Sequence, residues 1–209
     1  MKTETIRVLY VVFFFLEFGW ETLLTFLNMR NVKTNAGRVP DAFAGAVDGE
    51  TYRRSAAYTL DRNRFSVAAG SFSSAFVLVM VLSGALGRLD DVIGASVGHP
   101  YLGGILFLFA VSLIFKIVSL PFALYSQFVI EARHGFNRMT PGLFAADAIK
   151  GLVVSALLSL PLLWALFLFM DAAGRLWWIY AFLFTAAFQI LVTLDRKSTR
   201  LNSSHVSQS

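Results

Sequence analysis

The sequence predicts an all-α, polytopic membrane protein with about five transmembrane helices. Three observations carry that expectation. The composition is 56% apolar with 21 Phe and only 15% charged residues, and the mean hydropathy is +0.64, far from an ordinary soluble domain. Several apolar runs are long enough to cross a hydrocarbon core of about 30 Å, which takes roughly 20 helical residues. The runs are apolar on every face, whereas strands of a transmembrane barrel alternate apolar and polar residues over about ten positions, so helices fit and a barrel does not.

The first run, Val8–Leu27, follows Lys2 and Arg7 as the core of a secretory signal would. Glu17, Trp20 and Glu21 stand where a signal peptide needs small residues for cleavage, and the apolar character resumes through Leu27. An uncleaved first span is the better reading. The second run, Phe65–Leu86, and the fifth, Leu176–Leu194, carry no charge at all and are the clearest spans. The third, Tyr101–Ile130, is too long for one perpendicular crossing, so it should tilt, kink near Pro121, or project its last turns into water. The fourth is Gly151–Met170.

With no Cys, the chain has neither a disulfide framework nor a thiolate metal site. Its net charge of +5 comes from Lys and Arg clustered in the loops, not on a helix face interleaved with aromatics. That pattern suits anionic lipid and the positive-inside rule, not nucleic acid. The first loop holds Arg30, Lys33, Arg38, Arg53, Arg54, Arg62 and Arg64, and the third Arg133, Arg138 and Lys150; the other side has Lys2, Arg7, Arg88 and Arg175. This asymmetry predicts cytoplasmic first and third loops and an external N-terminus. An odd number of spans then places the far end in the cytoplasm.

Between the third and fourth spans lies a dense polar loop, Phe128–Lys150, reading FVIEARHGFNRMTPGLFAADAIK. Glu131, then His134-Gly135-Phe136-Asn137, Thr140, and Asp147 with Lys150 near the next span form a pattern that resembles the N-terminal membrane half of the type-1 CAAX prenyl proteases. Upstream, Val39-Pro40, Tyr52, Ser55, Tyr58-Thr59 and Phe65 are similar to that family's link between its first two spans. The resemblance covers roughly Met1–Leu194.

The family consists of integral-membrane zinc metallopeptidases that enclose a large intramembrane chamber, with the zinc at one end. The resemblance therefore implies part of a helical chamber, a peptide or prenylated-protein substrate, and zinc in the full-length enzyme. In the family two His of an HExxH motif and a more distal Glu hold the metal, and the motif's own Glu serves as general base on the zinc-bound water. No HExxH occurs in these 209 residues, and His99, His134 and His205 are the only histidines. His99 is placed in an external turn, His134 in a cytoplasmic loop and His205 in the tail, so no zinc ligand is carried over. The chain is expected to bind no metal, to be inactive alone, and to partner a C-terminal catalytic segment.

Charges inside the spans carry a further signal. Glu17 and Glu21 are four residues apart and share a helix face, while Lys116 sits in the middle of the third span. Charges at such depth are costly and turn toward one another or toward a hydrated cavity. Three readings stand: chamber lining by Glu17, Glu21 and Lys116, a Glu–Lys pair that ties two helices, or Glu17 lying near the headgroups. The loop residues are similarly divided. His134, Gly135, Phe136 and Asn137 either meet the catalytic segment and shape substrate entry, or form a tight turn in which Gly135 frees the backbone, Phe136 anchors and Asn137 bonds its own turn. Asp147 and Lys150, one turn apart, read as helix-start chemistry or as part of the same contact surface.

The composition changes sharply at the tail, RKSTRLNSSHVSQS. Without aromatics or an apolar period it is expected to be disordered, and it resembles non-native read-through, with a native short cytoplasmic tail as the alternative; this gives a membrane domain over 1–194 and a tail over 195–209. Asn202-Ser203-Ser204 matches a glycosylation sequon, but a cytoplasmic tail makes the match meaningless. The rival function is a non-enzymatic multispanning scaffold or transport component. A transporter would more commonly show interrupted spans in two repeated halves, and no such repeat is present.

Overall fold

A computed structural model describes the backbone of residues 3–37, 39–40, 45 and 47–206, and the side chains of 4–37, 39–40, 45, 47–190 and 193. Lys2, Arg38, residues 207–209 and the side chain of His205, all used in the sequence reading, lie outside that description. Every regular element among the described residues is helical. In order they are α1 (Thr3–Asn35), α2 (Gly49–Leu82), α3 (Ala85–Ser96), α4 (Pro100–Tyr125), a π-helical turn (Ser126–Ile130), α5 (Glu131–Arg133), α6 (Pro141–Ala172), a 3-10 turn (Gly174–Leu176) and α7 (Trp177–Val206).

Helices Glu4–Asn35, Gly49–Leu82, Pro100–Arg133 and Pro141–Ala172 are long and apolar enough to cross a membrane. Among the described residues only Ala56, Ile105, Ile130 and Ala181 form a buried apolar core, while Phe13 is 66% exposed, Leu157 67% and Phe182 68%. Burying an apolar side chain of this size is worth about 1.5–3 kcal/mol, so so many left in water would forfeit more stability than a domain has. Lipid is the solvent that resolves this.

Two spans begin earlier than their apolar runs. Asp48 caps α2 by accepting from the backbone N–H of Glu50 (2.9 Å) and of Thr51 (2.8 Å), so the helix starts at Gly49 instead of Phe65. Arg53, Arg54, Arg62 and Arg64, read as loop residues, therefore ride on α2. Pro141 opens α6 ten residues before the expected Gly151, a position where its missing donor costs nothing. Asp147 and Lys150 consequently sit inside α6, beyond its first turn, and no ion pair joins them among the described residues. The helix-start reading of that pair is corrected accordingly.

The second span also ends earlier than Leu86. Gly84, with φ of +72°, breaks the helix after Leu82 and starts α3. At twelve residues α3 reaches about 18 Å, too short to cross. Its half-buried Leu86, Leu89 and Ile93 share one face, with Arg88, Asp90 and Asp91 elsewhere. The long third run is a continuous helical path in which Pro121 is followed by the π-helical turn, closed by Glu131 N–H donating to Ser126 C=O. α7 continues as helix through Val206, across 195–206 where disorder was expected. Extending a formed helix avoids the nucleation cost, and that composition can follow a span passively.

The chain divides into two compact units, Met1–Ser96 with Phe107–Pro141, and Val97–Leu106 with Gly142–Ser209. In the first, α1 packs on α2, and α2 meets the third span through an aromatic ladder. Phe65 stacks on Tyr125 (4.9 Å) and approaches Phe122 (6.3 Å), Phe72 meets Phe122 (5.0 Å), and Phe76 meets Phe115 (5.5 Å). In the second, Phe167 of α6 lies against Gly104, where any Cβ would come within 2.7 Å of its ring.

Candidate functional site

Gly135 has φ of +77°, the left-handed conformation that ends a helix at the residue after its cap. Gly135 N–H donates to Ala132 C=O (3.1 Å) and Phe136 N–H to Glu131 C=O (2.8 Å), the two bonds of a Schellman motif. The third span is stopped by its own sequence. Asn137 then organises the exit: its Oδ1 accepts from Met139 N–H (2.8 Å) and from Gln127 Nε2 (2.9 Å). Gly135 thus makes the tight turn and Asn137 bonds its own turn.

The cap also carries a tertiary junction with α2. Tyr58 donates its hydroxyl to Glu131 Oε1 at 2.5 Å, and His134 Nε2 lies 3.1 Å from Asp61 Oδ2. A carboxylate only accepts at neutral pH, so the imidazole donates there. Each side thus supplies one carboxylate and one donor. Arg133 adds a longer contact to Asp61 (3.5 Å), and the Tyr58 ring packs edge-on against His134 (5.3 Å) and Phe136 (4.9 Å). Arg62 approaches the Tyr58 oxygen at 3.4 Å. The His134 side chain is 14% exposed and that of Asp61 31%, against 58% for Arg133, so the Asp61–His134 contact is the better shielded of the two.

Tyr58 and Glu131 belong to the pattern that carried the family resemblance, but the sequence did not pair them, and Asp61 and Gln127 were not singled out. Partners 73 residues apart leave no local spacing to read. A usable signal existed: Tyr58, Asp61, Phe65 and Phe72 recur at helical spacing along α2, a stripe too polar at one end to face lipid.

A second feature of the same unit lies between α1 and α2. A groove of about 610 Å³ is lined by Glu17, Glu21, Thr22 and Thr25 from α1 and by Ser66, Gly70, Ser71, Ser73 and Ser74 from α2, closed by Tyr10, Phe13, Phe14, Phe18, Val67 and Val77. Glu17 and Glu21 thus share one cavity, and Lys116, on α4, is not among the residues lining it. Among the described residues no group of three or more His, Cys, Asp and Glu is placed to hold a metal ion. His134 is engaged with Asp61, and His99 stacks on Trp164. These side chains do not fit a zinc centre.

Membrane-length helices tied by a capped polar junction define the class, a polytopic membrane domain. A family model described as the CAAX prenyl protease N-terminal part, with five membrane helices, matches residues 28–194, and the chain belongs to that family. It is 34% identical over 183 residues to a human protein named CAAX prenyl protease 1 homolog, covering 84% of this chain and 38% of that one. A rice protein of the same name is 32% identical over 187 residues, covering 86% and 44%. The crystal structure of Ste24p from S. mikatae shares the fold with a TM-score of 0.79 at 23% identity, covering 89% of this chain and 44% of that one. The chain spans less than half the length of these proteins.

Proposed function

We propose that this chain forms the N-terminal membrane wall of a zinc-dependent endopeptidase that acts on prenylated or related peptides, and that it shapes the intramembrane chamber and substrate access. The observation that carries this reading is the groove between α1 and α2, where two carboxylates and a row of hydroxyls line a cavity of about 610 Å³ within membrane-length helices. Polar groups facing lipid cost several kcal/mol each, so a stripe of this kind belongs to a hydrated interior. The zinc and the general base belong to the C-terminal segment that the longer relatives possess. In this reading the junction of Tyr58, Asp61, Glu131 and His134 fixes the end of the third span at a cytoplasmic face, where the exposed Phe136 offers surface to that segment, and Asp147 and Lys150 on α6 are further candidates for the same contact.

The test begins with the reading frame beyond Leu194. An HExxH motif followed by a distal Glu, and chelator-sensitive cleavage of a prenylated peptide by the extended protein but not by the 209-residue chain, are the expected results. A native stop codon there, or chelator-sensitive cleavage by the 209-residue chain itself, contradicts the proposal. In the extended enzyme, Glu17→Leu with Glu21→Leu should lower cleavage while leaving metal content unchanged.

A further inference from the structure

At the start of α4 the second unit holds a cluster that the proposed chamber wall does not use. His99 caps α4, with Gly103 N–H donating to its C=O (2.9 Å), and its ring stacks on Trp164 of α6 (5.7 Å). Tyr101 meets Trp164 edge-on (5.6 Å) and stacks on Phe167 (5.7 Å), and its hydroxyl donates to Asp171 Oδ2. A run of three aromatic side chains and an imidazole therefore ends, through the Tyr101 hydroxyl, on one exposed carboxylate, where α4 begins and α6 ends. Trp164 also opens onto an apolar groove of about 440 Å³ that continues along both helices, lined by Leu102, Ile105, Leu160, Pro161, Ala165 and Leu168.

We propose that this cluster binds a zwitterionic phospholipid with a quaternary ammonium headgroup. The ammonium would rest on the aromatic faces beside Asp171, and one acyl chain would lie in the groove. A cation over Trp and Tyr is held by the ring quadrupole, and a quaternary ammonium needs no hydrogen-bond acceptors, which matches a site built of rings and a single carboxylate. The continuity of rings and groove through Trp164 matches an amphiphile, not a free cation. Arg175, exposed on the turn four residues past Asp171, is the nearest cation in sequence to pair with a headgroup phosphate. The depth is suitable as well, since Trp and Tyr settle at the headgroup level of a bilayer.

The chain's net charge of +5 favours anionic lipid without any site, so selectivity for a zwitterionic lipid separates the two. The experiment uses the 209-residue chain carrying Trp20→Phe, Trp177→Phe and Trp178→Phe, so that Trp164 is the sole indole, reconstituted in bilayers containing brominated phosphatidylcholine or brominated phosphatidylglycerol. Quenching of Trp164 should show phosphatidylcholine preferred by about threefold, the scale of an exposed cation–π contact. Asp171→Asn should abolish the preference. Tyr101→Phe, which keeps the ring and the carboxylate but removes the hydrogen bond between them, should retain it. Equal quenching by both lipids, or a preference that survives Asp171→Asn in a protein of unchanged helicity, overturns the proposal. The comparison of lipids in the parent needs no variant in the site, so it stands even if Asp171→Asn fails to fold.

Discussion

Tyr58 and Glu131 form the best-defined polar contact between α2 and the end of the third span, at 2.5 Å. A hydrogen bond to a charged acceptor is worth about 1.5–3 kcal/mol, and the half-buried setting favours the lower end of that range. Tyr58→Phe should lower stability in detergent by about 1.5 kcal/mol on that scale, measured by denaturant titration of helicity, while the ring contacts to His134 and Phe136 persist. An unchanged midpoint would show that the contact contributes nothing. The sequence made His134 and Asn137 conspicuous because they stand beside a glycine between two apolar runs. It left Asp61 unnoticed, because an acidic residue among Arg62, Arg64 and Asn63 reads as ordinary loop polarity until α2 is known to begin at Gly49.

Helix ends were the least legible elements, and for a physical reason. Apolar runs mark the lipid core, whereas caps mark where the backbone stops being helical, and the two differ here by up to sixteen residues at the start of α2. The Gly135 cap was readable, since a glycine after the last apolar turn is the usual left-handed stop. Gly135→Ala meets no atom within 4 Å, so its cost is backbone strain alone, about 1 kcal/mol, and Gly135→Asn should cost less. Equal stability of Gly135→Ala and the parent in thermal unfolding would contradict the Schellman geometry. The Asp48 cap was not foreseen. The backbone N–H and hydroxyl of Thr51 hold its carboxyl below the ordinary carboxylate range. The folded state thus binds that proton less readily than the unfolded one, so the cap contributes fully above about pH 4 and fades as pH falls through the lowered value. Asp48→Asn, which caps without titrating, should flatten that part of the acid profile of helicity, and a profile identical to the parent's would count against the cap.

For the molecule as a whole, the fold class was the most legible property, because five all-round apolar runs leave a chain few alternatives to membrane helices. The matched family model carries five membrane helices, and α7 supplies the fifth long helix beside the four of clear membrane length. What periodicity could not supply was the pairing of helices: the α1–α2 groove gathers Glu17 and Glu21, which share a face, but leaves out Lys116, whose partner in the sequence reading was chosen by charge alone. Positions of Lys and Arg speak to orientation, and through it to which side the capped junction presents to a catalytic segment. The chain contains no Cys, so single introduced thiols report without background. With Arg53→Cys, Arg138→Cys, His99→Cys and Arg175→Cys made one at a time, an impermeant thiol reagent applied to right-side-out vesicles should label the His99 and Arg175 positions and spare Arg53 and Arg138. Labelling of Arg53 and Arg138 instead would place the His134 junction on the outer face and contradict its proposed role as the docking side for a cytoplasmic zinc segment.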